Sequence, residues 1–123
     1  MATAVLNFWS TSVGKKVVMA GSGFILFGFI FAHMLGNLQL YSGPEAINAY
    51  AAFLHSKPAL LWVARSTLLV ALVLHMISAY QVWRQSSNAR PVGYRRHKMQ
   101  ATNYAATTMI IGGPIIALFL IYH

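Results

Sequence analysis

The chain has 123 residues, of which 58% are hydrophobic and only 8% charged, a balance foreign to a soluble domain and expected of a protein whose solvent is the lipid bilayer. Nine lysines and arginines stand against one acid, for a net charge of +8. With Arg65 to be placed separately, these basic residues lie outside the apolar runs, so they read as membrane-topology signals and not as a nucleic-acid surface. Zero cysteines exclude disulfides and any iron–sulfur cluster or thiolate-bound metal carried by this chain.

Residues 1–14 lack the basic start of a secretory signal, so the first apolar run is expected to be retained. Within them, Phe8 and Trp9 fit a short amphipathic segment resting among headgroups. A helix crossing about 30 Å of hydrocarbon needs roughly 20 mostly apolar residues. The first such run, residues 17–40, contains no charge and lies between Lys15-Lys16 and the turn Ser42-Gly43-Pro44. Residues 45–54 have helical spacing but are too short to span, and predict an interfacial helix ended by the approach to Pro58. The second span is expected over residues 58–83, with Pro58 in its first turn. Residues 84–98 hold five of the nine basic residues and predict an aqueous loop. The third span is expected over residues 101–123, with a kink at Gly112-Gly113-Pro114. The fold class is therefore an all-α transmembrane helical bundle, read as a single domain over residues 1–123. Basic residues accumulate on the cytoplasmic side, which places the N-terminus, Lys15-Lys16 and the 84–98 loop inside and the 41–57 loop outside.

Topology divides the five histidines. His55 and His97 fall in loops and are expected to be solvated or interfacial. His33, His75 and His123 fall in spans, where an ionisable group is costly and normally faces a partner or cofactor. At about 1.5 Å per residue, His33 lies about 24 Å along the first span, in the outer third of the membrane. His75 lies about 25 Å from the outer surface, in the inner third, and His123 returns to the outer third. This pattern fits two stacked haems, because a low-spin haem needs two imidazoles at one depth. His33 and His123 would serve the outer haem, and His75 the inner one with a ligand from elsewhere. Rows of small residues, Ala71 and Ala79 about His75, and Gly28, Ala32 and Gly36 on the first span, would let a flat macrocycle approach. Plain helix–helix packing explains such rows equally directly, and proton-relay or packing roles remain the alternative for the histidines.

The string Ser12-Val13-Gly14-Lys15-Lys16-Val17-Val18-Met19-Ala20, followed by His33-Met34-Leu35-Gly36-Asn37-Leu38, resembles the first span of the succinate dehydrogenase cytochrome b subunit family. Gly43-Pro44-Glu45-Ala46-Ile47-Asn48-Ala49-Tyr50 resembles that family's first loop, Leu74-His75 its second ligand helix, and Ala89-Arg90-Pro91-Val92 its basic loop. The similarity runs from about Ser12 to His123, toward the variety in which one polypeptide binds two b haems. In that variety one histidine on each of four spans ligates iron, and His33, His75 and His123 match the first three positions. Family members of this type have five spans, so the chain is expected to be partial, or else to be completed by a second membrane chain.

The resemblance implies an electron-transfer anchor in a bacterial cytoplasmic membrane. It would carry electrons between an iron–sulfur subunit and the quinone pool, with menaquinone the expected quinone, and would do no succinate chemistry itself. FAD and iron–sulfur clusters would belong to the flavoprotein and iron–sulfur subunits, docked on the cytoplasmic side, where the basic loop offers a surface that topology alone also explains. Arg65 could pair with a propionate of the outer haem or snorkel to the headgroups. Glu45 could exchange protons near a quinone or simply begin the interfacial helix, while Tyr41, Ser22 and Trp62 are undistinguished candidates for a quinone pocket. A fumarate reductase anchor would share these ligands. The readings outside electron transfer are a haem-free scaffold and a transporter fragment, and a complete three-span anchor sharing one haem with a second chain stands beside them.

Overall fold

In the computed structural model, which describes residues 1–93, 98 and 102–123, helices account for all the regular structure among the described residues. The first helix, α1 (Ala2–Ser10), ends at Thr11. Both the backbone N–H and the hydroxyl of Thr11 donate to the Phe8 carbonyl, at 3.2 and 2.8 Å. The same hydroxyl accepts from the Gly14 N–H at 2.9 Å and so caps α2 (Ser12–Asn37), satisfying one of the donors that open every helix. Helix α2 therefore begins five residues before the expected start of the first span, and Lys15 and Lys16 lie within its opening turns instead of ahead of it.

At its far end α2 tightens into a 3-10 helix over Leu38–Ser42. Gly43 then takes φ of +105°, a left-handed conformation that costs a side-chain-bearing residue energy. Pro44 follows at the start of α3 (Pro44–His55), where its missing N–H is no loss. A turn through Ser56 and Lys57 leads into α4 (Pro58–Asn88), 31 residues long. The expected aqueous loop is thus corrected at its beginning, since Arg84 to Asn88 continue the helix. Helix α5 (Tyr104–Tyr122) is capped by the Asn103 side chain, which accepts from the Ala106 N–H at 2.9 Å, and the helix runs unbroken through Pro114. The expected start of the third span, at residue 101, lies outside the described residues.

Three helical stretches, Ser12–Ser42, Pro58–Asn88 and Tyr104–Tyr122, are long and apolar enough to cross a membrane, and at most 6% of each apolar window is buried. Phe24, Phe27, Leu69 and Ile115 are each more than 60% exposed. So much outward apolar surface is untenable in water and natural in lipid. The chain is an all-α integral membrane protein.

It divides into two compact units, Met1–Gln85 and Ser86–His123. In the first, the buried side chains are small: Ser22 at 6% exposure, Ala71 at 4% and Ser78 at 0%. Small residues let two helix backbones approach where no hydrophobic drive favours association. Helices α2 and α4 meet through Met19, Ser22 and Gly23 on one side and His75 on the other. Tyr50 of α3 lies over Gly36, near the opposite end of α2. Helix α4 thus starts at the α3 end and runs back along α2, antiparallel to it. The second unit contains α5 and, among the described residues, no buried side chain on that helix.

Candidate functional site

His75 is the best-defined polar group between spans. It projects from α4, half-buried, and its Nδ1 lies 2.9 Å from the Met19 backbone carbonyl on α2. A carbonyl oxygen only accepts, so Nδ1 bears the proton and donates it, which leaves Nε2 with the lone pair. No hydrogen bond engages Nε2 among the described residues. The Ser22 hydroxyl stands 3.4 Å from the same Nδ1, while its own proton is directed to the Val18 carbonyl at 2.7 Å. The ring passes over Gly23, where a Cβ would sit 3.0 Å from Cε1 and 3.2 Å from Nδ1.

Beside this contact runs an open groove of about 540 Å³ between α2 and α4, walled by Val18, Ser22 and Ile25 on one side and Ser66, Val70 and Leu74 on the other. Its walls are apolar apart from a few hydroxyls. Of the three candidates named for a quinone pocket, only Ser22 borders this groove; Tyr41 and Trp62 are 87% and 64% exposed.

His33 is held differently. The side-chain amide nitrogen of Asn37, one turn on, donates to the His33 carbonyl at 2.8 Å and lies 3.1 Å from its Nδ1. An amide nitrogen only donates, so Nδ1 is the acceptor and Nε2 carries the proton. The Phe29 ring packs against the imidazole with centroids 5.3 Å apart. His123 repeats that spacing in the second unit, stacked on Phe119 at 5.2 Å with 27° between the planes. His33 and His123 belong to different units.

A haem needs an imidazole whose iron-facing nitrogen carries a lone pair. His75 fits: a ligating imidazole commonly donates its other N–H to a carbonyl, which fixes tautomer and ring orientation. His33 as it stands does not, since the proton sits on the nitrogen that would face iron. His75 and His33 do occupy different levels: Met19, opposite His75, is 14 residues from His33 along α2, about 21 Å at about 1.5 Å per residue.

Of the small-residue rows, Ala71 and Ala79 flank His75 on a face that is buried or half-buried, whereas Gly28 and Ala32 are exposed and Gly36 is half-buried beneath Tyr50. Arg65 is exposed, with its guanidinium 5.4 Å from the centre of the Trp62 ring one turn earlier, a cation–π arrangement. Glu45 is exposed in the first turn of α3, where a carboxylate favours the positive helix end. His55, expected in a loop, is instead the last residue of α3, its Nδ1 2.8 Å from the Ala51 carbonyl. His97, with Arg95 and Arg96 of the basic segment, lies outside the described residues.

No protein-family model, curated protein or solved structure matches this chain. Met19, Gly23 and Asn37 are the neighbours of the histidines that sequence reasoning missed. Asn37, four residues after His33, was open to detection as a helical i, i+4 pair. A backbone carbonyl such as that of Met19 has no residue-type signature.

Proposed function

We propose that this chain is a haem b-binding membrane anchor of succinate dehydrogenase, passing electrons between an iron–sulfur subunit and membrane quinone. The observation that carries the haem part is the His75 imidazole, directed from one membrane helix to a carbonyl of another with its Nε2 left as a base. The succinate dehydrogenase assignment, with its flavoprotein and iron–sulfur partners and a menaquinone pool, rests on the sequence resemblance. When bound, the haem would supply reversible one-electron chemistry. The protein's share is to present the Nε2 lone pair of His75, fix that ring through the Met19 carbonyl, and keep water away with the apolar side chains of α2 and α4. Arg65 and Glu45 are proposed for propionate pairing and quinone-linked proton exchange, both at the outer end.

A reduced-minus-oxidised optical spectrum of the purified full chain, with and without its partner subunits, tests the proposal. Low-spin b-type absorption is expected, diminished by His75→Leu. A protein without haem absorption when prepared with ample haem would overturn it.

A second reading is favoured by the same contact seen alone: His75 is already a hydrogen-bonded tie between α2 and α4, as a haem-free scaffold would use it. Under that reading His75→Leu loosens the helix pair and no spectrum changes.

A further inference from the structure

We infer that Gly23 and the Met19 carbonyl of α2 form a cradle that selects the Nδ1–H form of His75, making Gly23 a positioning residue for the axial ligand and a determinant of haem affinity and potential. This rests on the haem reading above and adds to it Gly23, for which that reading has no role.

Three observations converge on the cradle. The 2.9 Å bond from Nδ1 crosses between helices, so its length depends on how closely the imidazole can approach α2. At the point of approach the residue is glycine, and a Cβ there would stand 3.0 Å from Cε1 and 3.2 Å from Nδ1, closer than ordinary van der Waals contact. The Met19 carbonyl is also shared, since the Ser22 hydroxyl lies 3.1 Å from it but is better placed for Val18 at 2.7 Å. One lone pair of the Met19 oxygen serves the backbone ladder of α2, and the hydroxyl's shorter contact to Val18 leaves the second to the imidazole. Donation from Nδ1–H to a carbonyl increases electron density at Nε2, which strengthens binding to iron and favours the oxidised metal. Moving the ring outward by a few tenths of an ångström weakens that donation while leaving the ligand itself in place.

The test is Gly23→Ala in the full chain in detergent micelles, read in two ways. Nitrogen NMR of the haem-free protein with labelled histidine reports which ring nitrogen of His75 is protonated. In the wild type we expect Nδ1–H, and in Gly23→Ala a mixture with the Nε2–H form. Haem titration and redox titration of the loaded protein should then show affinity lowered about tenfold, the lower end of the effect of losing an outer-shell partner, with the midpoint potential moved upward. Gly23→Ser, which adds the same Cβ, should move the potential the same way. A haem-binding wild type whose His75 carries its proton on Nε2 overturns the inference alone, and that measurement needs no variant to fold. Unchanged affinity and potential in a folded Gly23→Ala protein also overturn it. A wild type that keeps Nδ1–H and binds no haem instead refutes the proposed function, and this inference with it.

Discussion

Asn37→Ala should strengthen haem binding at His33, although it removes a hydrogen bond. The amide of Asn37 holds the His33 imidazole with Nδ1 as acceptor, at 3.1 Å, which puts the proton on the nitrogen needed for iron. Ligation through Nε2 requires the proton to move to Nδ1 and the amide contact to be given up. An intramolecular hydrogen bond of this kind nets about 0.5–1.5 kcal/mol, so removing the competitor should tighten binding by about two- to thirteenfold. The second bond of the same amide, to the His33 carbonyl at 2.8 Å, need not break for ligation and does not enter that figure. The assay is a haem titration of the full chain carrying His75→Ala, with and without Asn37→Ala, followed at the Soret band. Circular dichroism checks that α2 is intact. Equal or weaker binding in the Asn37→Ala protein would refute the reasoning and make the amide a support of the ligand instead of its competitor.

Ser78 is fully buried at 0% exposure, and among the described residues its hydroxyl serves only the Leu74 and His75 carbonyls of its own helix. Ser78→Ala should therefore leave stability in detergent within about 1 kcal/mol of wild type, whereas Ser78→Leu should lower it by about 1–3 kcal/mol through overpacking; equal effects would deny the close packing there. At φ of +105° and ψ of 165°, Gly43→Ala should cost about 1–3 kcal/mol, seen as earlier thermal unfolding, and wild-type stability would show that the turn is not held as described. The Oε1 of Gln81 is buried with no hydrogen-bond partner among the described residues. Gln81→Met should raise stability by about 1 kcal/mol, the lower end of the cost of such an orphan, unless that oxygen serves a ligand or another chain, in which case the variant loses binding or assembly.

The spans were legible because hydropathy reports what the bilayer accepts, and α2, α4 and α5 all carry their apolar runs where expected. Helix ends were less legible for the same reason. Arg84 to Asn88 lie beyond the apolar run, yet backbone hydrogen bonding continues without regard to side-chain polarity, so α4 outlasts its hydrophobic part. Likewise the start of α2 is set by the Thr11 cap and not by the first apolar residue. In the site, His75 stood out as an ionisable residue within an apolar run, but its environment depends on a helix register that brings together residues 56 apart in sequence. That register follows from side-chain packing along the Ser22 and Ala71 seam, which no local pattern encodes. The opposite protonation of His33 was likewise invisible, although the residue that causes it is a near neighbour.

The stretch of α2 from Met19 to His33 also acts as a voltage divider. Its length of about 21 Å is about two-thirds of a hydrocarbon core of about 30 Å. On the proposed reading, an electron passed between the levels of His75 and His33 would cross that fraction of the membrane potential. The work is about 1.6 kcal/mol for every 100 mV, with its sign set by the direction of travel. The helix register that fixes His75 opposite Met19 would then also fix how strongly electron flow through the chain responds to the energised state of the membrane.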